Sequence, residues 1–305
     1  RGQRAAAGRV DAETRLAGMP ERSAFPATVA PSRAGEAGAG QHRFRIDAAT
    51  TGALSALAGR HGLSVYQLLF AAGALLLGRY AAQREVVLGM PAHAREQADA
   101  NTIGYFANVL PIRVALDDGQ PIGAWLRQVK AAIVDGLRNQ ALPLPVLADA
   151  LGATGPLVQT VISLLAPGAG RPALSAGDAA VDAAEGERLA PFALGSAGGR
   201  LALGDSMLAS CETGHVRAPF DLTFQLCEDG GELAGAIAYR AERHAAPMIA
   251  RLAANFARLL AALSEAGDSA RVGELAMLAE PELALLRRHL TGPAATPMRA
   301  GDGVA

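Results

Sequence analysis

The chain has 305 residues, of which 50% are hydrophobic and only 4% aromatic, and its Lys+Arg 28 against Asp+Glu 29 leave a net charge of −1. A chain of this length buries a substantial core as one large domain or two medium ones. Its balanced charge gives no field to draw in nucleic acid or an anionic membrane surface, so neither partner is expected. Ala and Gly supply much of the bulk, so Leu, Val, Ile and close backbone approach must close the core. Cys211 and Cys227 lie apart and lack C-x-x-C spacing, which points to neither a disulfide framework nor a zinc site and fits a reducing, cytoplasmic compartment. The first residue is Arg and no charged, apolar, small-residue signal segment follows, so the chain reads as a piece of something longer.

Residues 1–45 are rich in Ala, Gly, Pro and Arg without helical or alternating periodicity, as in a linker or the remnant of a preceding unit. From Ile46 to His61, Leu54 and Leu57 among alanines predict a short helix that ends near Gly62. Ser64-Val65-Tyr66-Gln67 has the form of a capping box opening a second helix to about Ala82. Val65 to Leu77 is strongly apolar, but Gln67, two glycines and Arg79 leave it short of the ~20 residues a bilayer needs, so a buried central helix is expected.

Val86-Val87-Leu88-Gly89 reads as a strand covered on both faces and ended by Met90-Pro91, with a polar loop, Ala92 to Glu96, behind it. Ile103 to Arg113 follows: a glycine-bearing turn and then alternation of Leu110, Ile112 and Val114 with Val109, Pro111 and Arg113, a period-2 strand with Asn108 at its mouth. A carboxamide there either closes the turn by bonding local backbone or faces a ligand. Pro121 opens a helix carrying Ile122, Trp125, Leu126, Val129 and Ile133 on one face. Asn139 to Pro145 breaks it before a further turn or two from Val146 to Leu151.

Leu157 to Leu165 reads as a strand, whereas residues 166–217 are an irregular Ala/Gly-rich stretch. Phe220 to Leu226 and Glu232 to Tyr239, joined at Asp229-Gly230-Gly231, predict a hairpin. Ile249, Leu252, Ala253, Phe256, Leu259, Leu260 and Leu263 then trace the clearest amphipathic helix, and a shorter one runs from Glu280 to Leu290. Residues 291–305 have the Gly and Pro content of an exit linker. Interleaved helices and strands with a late hairpin give an α/β class with a mixed sheet.

Several motifs carry no chemistry. Gly204-Asp205-Ser206-Met207 has the form of a lipase block, but no histidine partner is in place to activate the serine. Gly195 to Gly199 lacks the strand, helix and Lys-Ser/Thr of a phosphate loop. The six histidines are scattered singly, never at metal-ligand spacing, so no metal site is expected. His93 and Arg95 stand out because they lie in the loop just before the Asn108 segment, where a histidine is either an ordinary surface or cap residue or a group that exchanges a proton near neutral pH, and a guanidinium either binds a carboxylate or phosphate or pairs with Glu96 or Asp99 in solvent.

Together these landmarks resemble the condensation domains of nonribosomal peptide synthetases, specifically their C-terminal lobe. Val86 to Pro91 with Arg95 resembles "VVVGTP…GR", and Ile103 to Arg113 resembles "IGxFVNTLPLR". Asn139 to Pro143 is similar to "HQDLPF", with Asn139 in place of His and Leu144 in place of Phe. Ala218 to Thr223 is similar to "AKFDLTL", and Leu233 to Tyr239 to "LxGxLEY". The resemblance covers residues 46–265, and the lobe is taken as 46–290.

It implies a chloramphenicol acetyltransferase-like fold, two lobes in a V with a tunnel between them. Carrier proteins present 4'-phosphopantetheine thioesters from opposite ends, and an acceptor amine attacks the donor thioester. The implied partners are the missing N-terminal lobe, donor and acceptor carrier proteins and an adjacent adenylation domain, with no cofactor bound by the lobe itself. The family's His-His-x-x-x-Asp-Gly motif belongs to the other lobe and is absent here, so no catalytic residue is assigned in this chain. Asn108, Gly104, Arg95 and His93 are the implied tunnel residues, and Gln140, Pro143 and Asp221 the structural residues near them. A degenerate domain that docks a carrier protein or a tailoring enzyme is the alternative.

Overall fold

A computed structural model describes residues 10–29, 38–93, 101–104, 106–165, 190–203, 206–212 and 216–291. Its centre is a six-stranded sheet in the order β1-β8-β7-β4-β2-β3, where β1 is Ala39–Ile46, β2 Glu85–His93, β3 Ala107–Ala115, β4 Thr160–Leu165, β7 Leu222–Asp229 and β8 Glu232–Arg240. The pairs β2·β4 and β4·β7 are parallel and the others antiparallel, so the sheet is mixed, as the alternation of elements predicts.

One face of the sheet carries Leu88, Leu110, Ile112, Ile162, Phe224 and Ile237, all in the main core. Helices α2 (Ala48–His61), α3 (Val65–Ala81), α4 (Ile122–Arg138) and α7 (Ala246–Glu265) cover that face. The capping box of α3 forms as read: Ser64 Oγ accepts from Gln67 N and Gln67 Oε1 accepts from Ser64 N. Leu68 to Gly78 of α3 are all buried, so its apolar run is the protein's own interior. Each fully buried leucine there contributes roughly 1.5–3 kcal/mol. Two glycines set how closely helices approach the sheet: a Cβ on Gly73 would stand 2.0 Å from Ile162 Cδ1, and one on Gly136 2.2 Å from Ile112 Cδ1. By length and composition α7 could cross a membrane, yet its apolar stripe, Ile249 to Leu263, lies in the core.

The second face holds smaller clusters. Helical residues 10–16, α1, pack Ala12 and Leu16 against Leu147 of α5 (Leu144–Ala150) and against Leu157 and Val158. A short α6 (Ala190–Ala193) lies over Cys227, Ala234 and Ala236, and a two-stranded hairpin pairs β5 (Arg200–Leu203) with β6 (Ser206–Ala209). A C-terminal α8 (Glu280–Thr291) follows a 3-10 turn at Val272–Glu274.

Three expectations need correction. Residues 39–45, taken as part of a linker or the remnant of a preceding unit, belong to β1, which pairs along its whole length with β8; His42, Phe44 and Ile46 alternate with Arg43 and Arg45, but charge masks the pattern at this sheet edge. β2 does not stop at Met90-Pro91 but continues to His93, so His93 is a strand end and not a loop residue. Pairing with β4 is confined to Gly89↔Val161, and Pro91 lies beyond it, where its missing N–H leaves no bond unmade. Finally, the stretch read as irregular contains α6 and the β5–β6 hairpin; residues 166–189 of it lie outside the described residues.

Candidate functional site

The parallel strands β2, β4 and β7 end together on one side of the sheet, the side on which open α/β sheets hold ligands. Asn108, in the second position of β3, faces Ala92 there, and His93 pairs with Ala107 beside it. The structure therefore brings His93 and Asn108 to neighbouring strands at one end, with His93 exposed. Gly104 lies in the approach to β3, where an added Cβ would come within 3.2 Å of the Phe106 ring. Arg95 lies outside the described residues, as does Tyr105.

The carboxamide of Asn108 is fully committed. Its Nδ2 donates to the backbone oxygens of Gln140, at 2.9 Å, and Leu142, at 2.7 Å. Its Oδ1 accepts from the amides of Val109, at 2.9 Å, and Leu144, at 3.3 Å. Two donors and two lone pairs meet two carbonyls and two N–H groups, so only this orientation of the amide satisfies every partner. The side chain thus bolts the mouth of β3 to the corner between α4 and α5. Pro143 gives that corner its shape, with φ −62° and ψ 138° at the N-cap of α5 and no side-chain cap of its own. Gln140 contributes through its carbonyl, a role that its side chain does not signal.

Asn139, which replaces the histidine of the resembling motif, donates from Nδ2 to Asp11 of α1 at 2.6 Å. The other end of α1 is held by Arg113. That guanidinium forks onto Glu85, with Nε and Nη2 at 2.6 and 2.7 Å from its oxygens, and Nη1 donates to the carbonyls of Arg15 and Ala17 at 3.1 and 2.8 Å. Glu85 raises the Arg113 pKa further above its already high ordinary value. α1 is therefore tied along the outer edge of β3. An arginine alternating with apolar residues was the only sequence signal of this clamp.

Asp221 is separated from the others. It precedes β7 at the opposite end of the sheet and gathers three guanidiniums: Arg22 at 3.0 Å, Arg243 at 3.1 Å and Arg240 at 4.0 Å. An apolar cleft of about 240 Å³, lined by Leu144, Ala148, Leu157, Phe220 and Arg240 among others, reaches from the α5 corner to Asp221. Among the described residues no group of three or more His, Cys, Asp or Glu side chains is placed to hold a metal ion.

Comparison with known proteins places this architecture. The profile of the condensation domain family matches residues 13–286. Phosphinothricin tripeptide synthetase PhsC of Streptomyces viridochromogenes is 37% identical over 111 residues, 36% of this chain and 10% of that protein. Surfactin synthase subunit 1 of Bacillus subtilis is 26% identical over 248 residues, 79% of this chain and 6% of its own length. Among solved structures, the complex of the X-domain and OxyB from teicoplanin biosynthesis aligns with a TM-score of 0.71 at 21% identity, over 91% of this chain and 56% of that one. The first condensation domain of the calcium-dependent antibiotic synthetase, in complex with a substrate analogue, aligns at 0.65 and 20% identity, over 90% of this chain and 55% of that one. The chain spans little more than half of these solved domains and a tenth or less of the curated relatives. With its mixed, helix-flanked sheet matching theirs, the chain belongs to the condensation domain family of nonribosomal peptide synthetases.

Proposed function

We propose that this chain is the C-terminal lobe of a condensation domain, which joins two carrier-protein-tethered acyl or aminoacyl groups through an amide bond. The match of residues 13–286 to the family carries this reading. Opposing the two thioesters in one tunnel replaces a bimolecular encounter by an intramolecular one, a large part of the rate such a site supplies. The 4'-phosphopantetheine arms would come from donor and acceptor carrier proteins, and an adenylation domain would load one of them.

Within that reading Asn108 is a positioning residue. All four of its hydrogen-bonding valences are spent on backbone, so it holds the α5 corner at the tunnel mouth and polarises nothing. The general base is supplied by the other lobe, because no two histidines are adjacent in this chain. His93 would stand at the same mouth.

The test mixes this lobe with a complementary N-terminal lobe and two loaded carrier proteins, and follows the amide product by mass spectrometry. The lobe alone gives no product and the pair gives turnover. Turnover by the lobe alone places the base here and overturns the assignment. A stable pair that binds a carrier protein or a tailoring enzyme without turnover supports the docking alternative, a role in keeping with the shared fold of the X-domain complexed with OxyB.

A further inference from the structure

Residues 22–29, upstream of β1, run outside any helix or strand across the N-terminal ends of β4 and β7 and are fastened at five of their eight positions. Arg22 reaches Asp221, and its carbonyl accepts from Gln83 Nε2. Ser23 donates its amide to Gln159 Oε1 and accepts from Val87 N. Phe25, buried, fills a slot between Tyr80 and Phe224, with ring centroids at 5.6 and 6.3 Å. The amides of Thr28 and Val29 both donate to the Arg243 carbonyl, and Thr28 Oγ1 accepts from Ala245 N.

Beneath this segment lies His244, in the turn between β8 and α7. It is 1% exposed, and neither ring nitrogen completes a hydrogen bond, although the ring lies beside the Pro26 carbonyl. An imidazole so enclosed is neutral, because burial opposes its charge and holds its pKa below the ordinary value. The charged groups around it are mixed. Asp221 at the start of β7 and Glu242 in its own turn favour the proton, whereas Arg22 of the segment opposes it. Asp221, though shared among Arg22, Arg240 and Arg243, is the strongest of the groups that favour the proton, and burial still outweighs it.

We propose that residues 22–29 form an acid-released strap, clamped while His244 is neutral and freed when the ring takes a proton. A proton from solvent adds to the lone pair of the unprotonated ring nitrogen, and the resulting cation is cut off from water with an arginine facing it, a cost that the neighbouring Pro26 carbonyl, Asp221 and Glu242 offset only in part. Lifting the strap admits water to the ring and uncovers the Phe25 slot. The sign follows from linkage: the unfastened state binds the extra proton more readily, so the clamp is complete above the ordinary imidazole pKa of about 6.5 and weakens below it.

Hydrogen exchange of the full chain, followed by mass spectrometry from pH 8 to 5 and corrected for intrinsic rates, tests this. Protection of residues 22–29 is expected to hold above about pH 6.5 and then fall by up to about tenfold per pH unit, while His244→Phe keeps a pH-independent clamp. Corrected protection that ignores pH in the native chain overturns the proposal. So does an unchanged pH slope in His244→Phe, which would assign the pH dependence to a group other than His244. Should that variant fail to fold, NMR titration of the His244 ring in the native chain decides: a midpoint below the ordinary value supports the strap, and one at or above it does not.

Discussion

The two ends of the sheet are fastened by opposite chemistry. At the Asn108 end a neutral carboxamide satisfies two carbonyls and two amides of one corner. At the Asp221 end one carboxylate gathers three arginines from the strap, from β8 and from the turn after it. The first device fixes a geometry and is indifferent to salt and proton concentration. The second spans elements far apart in sequence and is weakened by salt. Position is thus held constant where the strands β2 and β4 end, and adjustability is confined to the far side.

Substitution at Asn108 separates the two devices most sharply. Asn108→Asp removes both donors and sets a carboxylate against the Gln140 and Leu142 carbonyls, and should cost about 3 kcal/mol; Asn108→Ala should cost about 2 kcal/mol. Both are read from urea unfolding midpoints, and the alanine deficit should be the same in 0.05 and 1 M salt. A loss of the condensation proposed for the reassembled domain, at unchanged stability, would instead return Asn108 to a substrate-facing role. Next in size, Asp221→Asn leaves three guanidiniums facing one another at a partly exposed site and should cost about 1–2 kcal/mol at low salt. That deficit should shrink in 1 M salt, where the Debye length is about 3 Å; a salt-independent deficit would make Asp221 a second neutral-type bolt. The smallest effect expected is that of Arg113→Lys, which keeps charge but loses the fork onto Glu85 and one carbonyl of α1. It should cost about 0.5–1 kcal/mol, with faster exchange in residues 10–16 as its signature.

Much of this fold was legible because its signals are local. The capping box at Ser64, the left-handed Gly62 that ends α2 with φ 60°, and the Asp229-Gly230-Gly231 hairpin are each written in a few adjacent residues. β1 was missed because an edge strand needs only a thin apolar row, and Arg43 and Arg45 hide it. The place of Asn108 was legible, its wiring was not, and Asp221, grouped with it in the sequence, lies at the opposite end of the sheet. That Asn108 sits at a strand mouth follows from period-2 alternation, whereas its bonds to residues 32 to 36 positions away depend on where α4 turns. Likewise Asp221 reads as an ordinary strand-opening residue, and nothing near it in sequence announces Arg22, 199 positions distant.

The two outermost strands, β1 and β3, bear on how this lobe behaves in crowded solution. A bare strand edge templates pairing with another chain. On β3, Pro111 withholds an amide, while Arg113 and Asn108 pull α1 and the α5 corner alongside. On β1, Arg43 reaches to Glu212 and the Gly195 carbonyl, and Arg45 to Asp229 and Glu232. Each edge thus carries charge or a missing donor where a second copy would have to add its strand, so the side chains that lock the lobe internally also discourage it from polymerising.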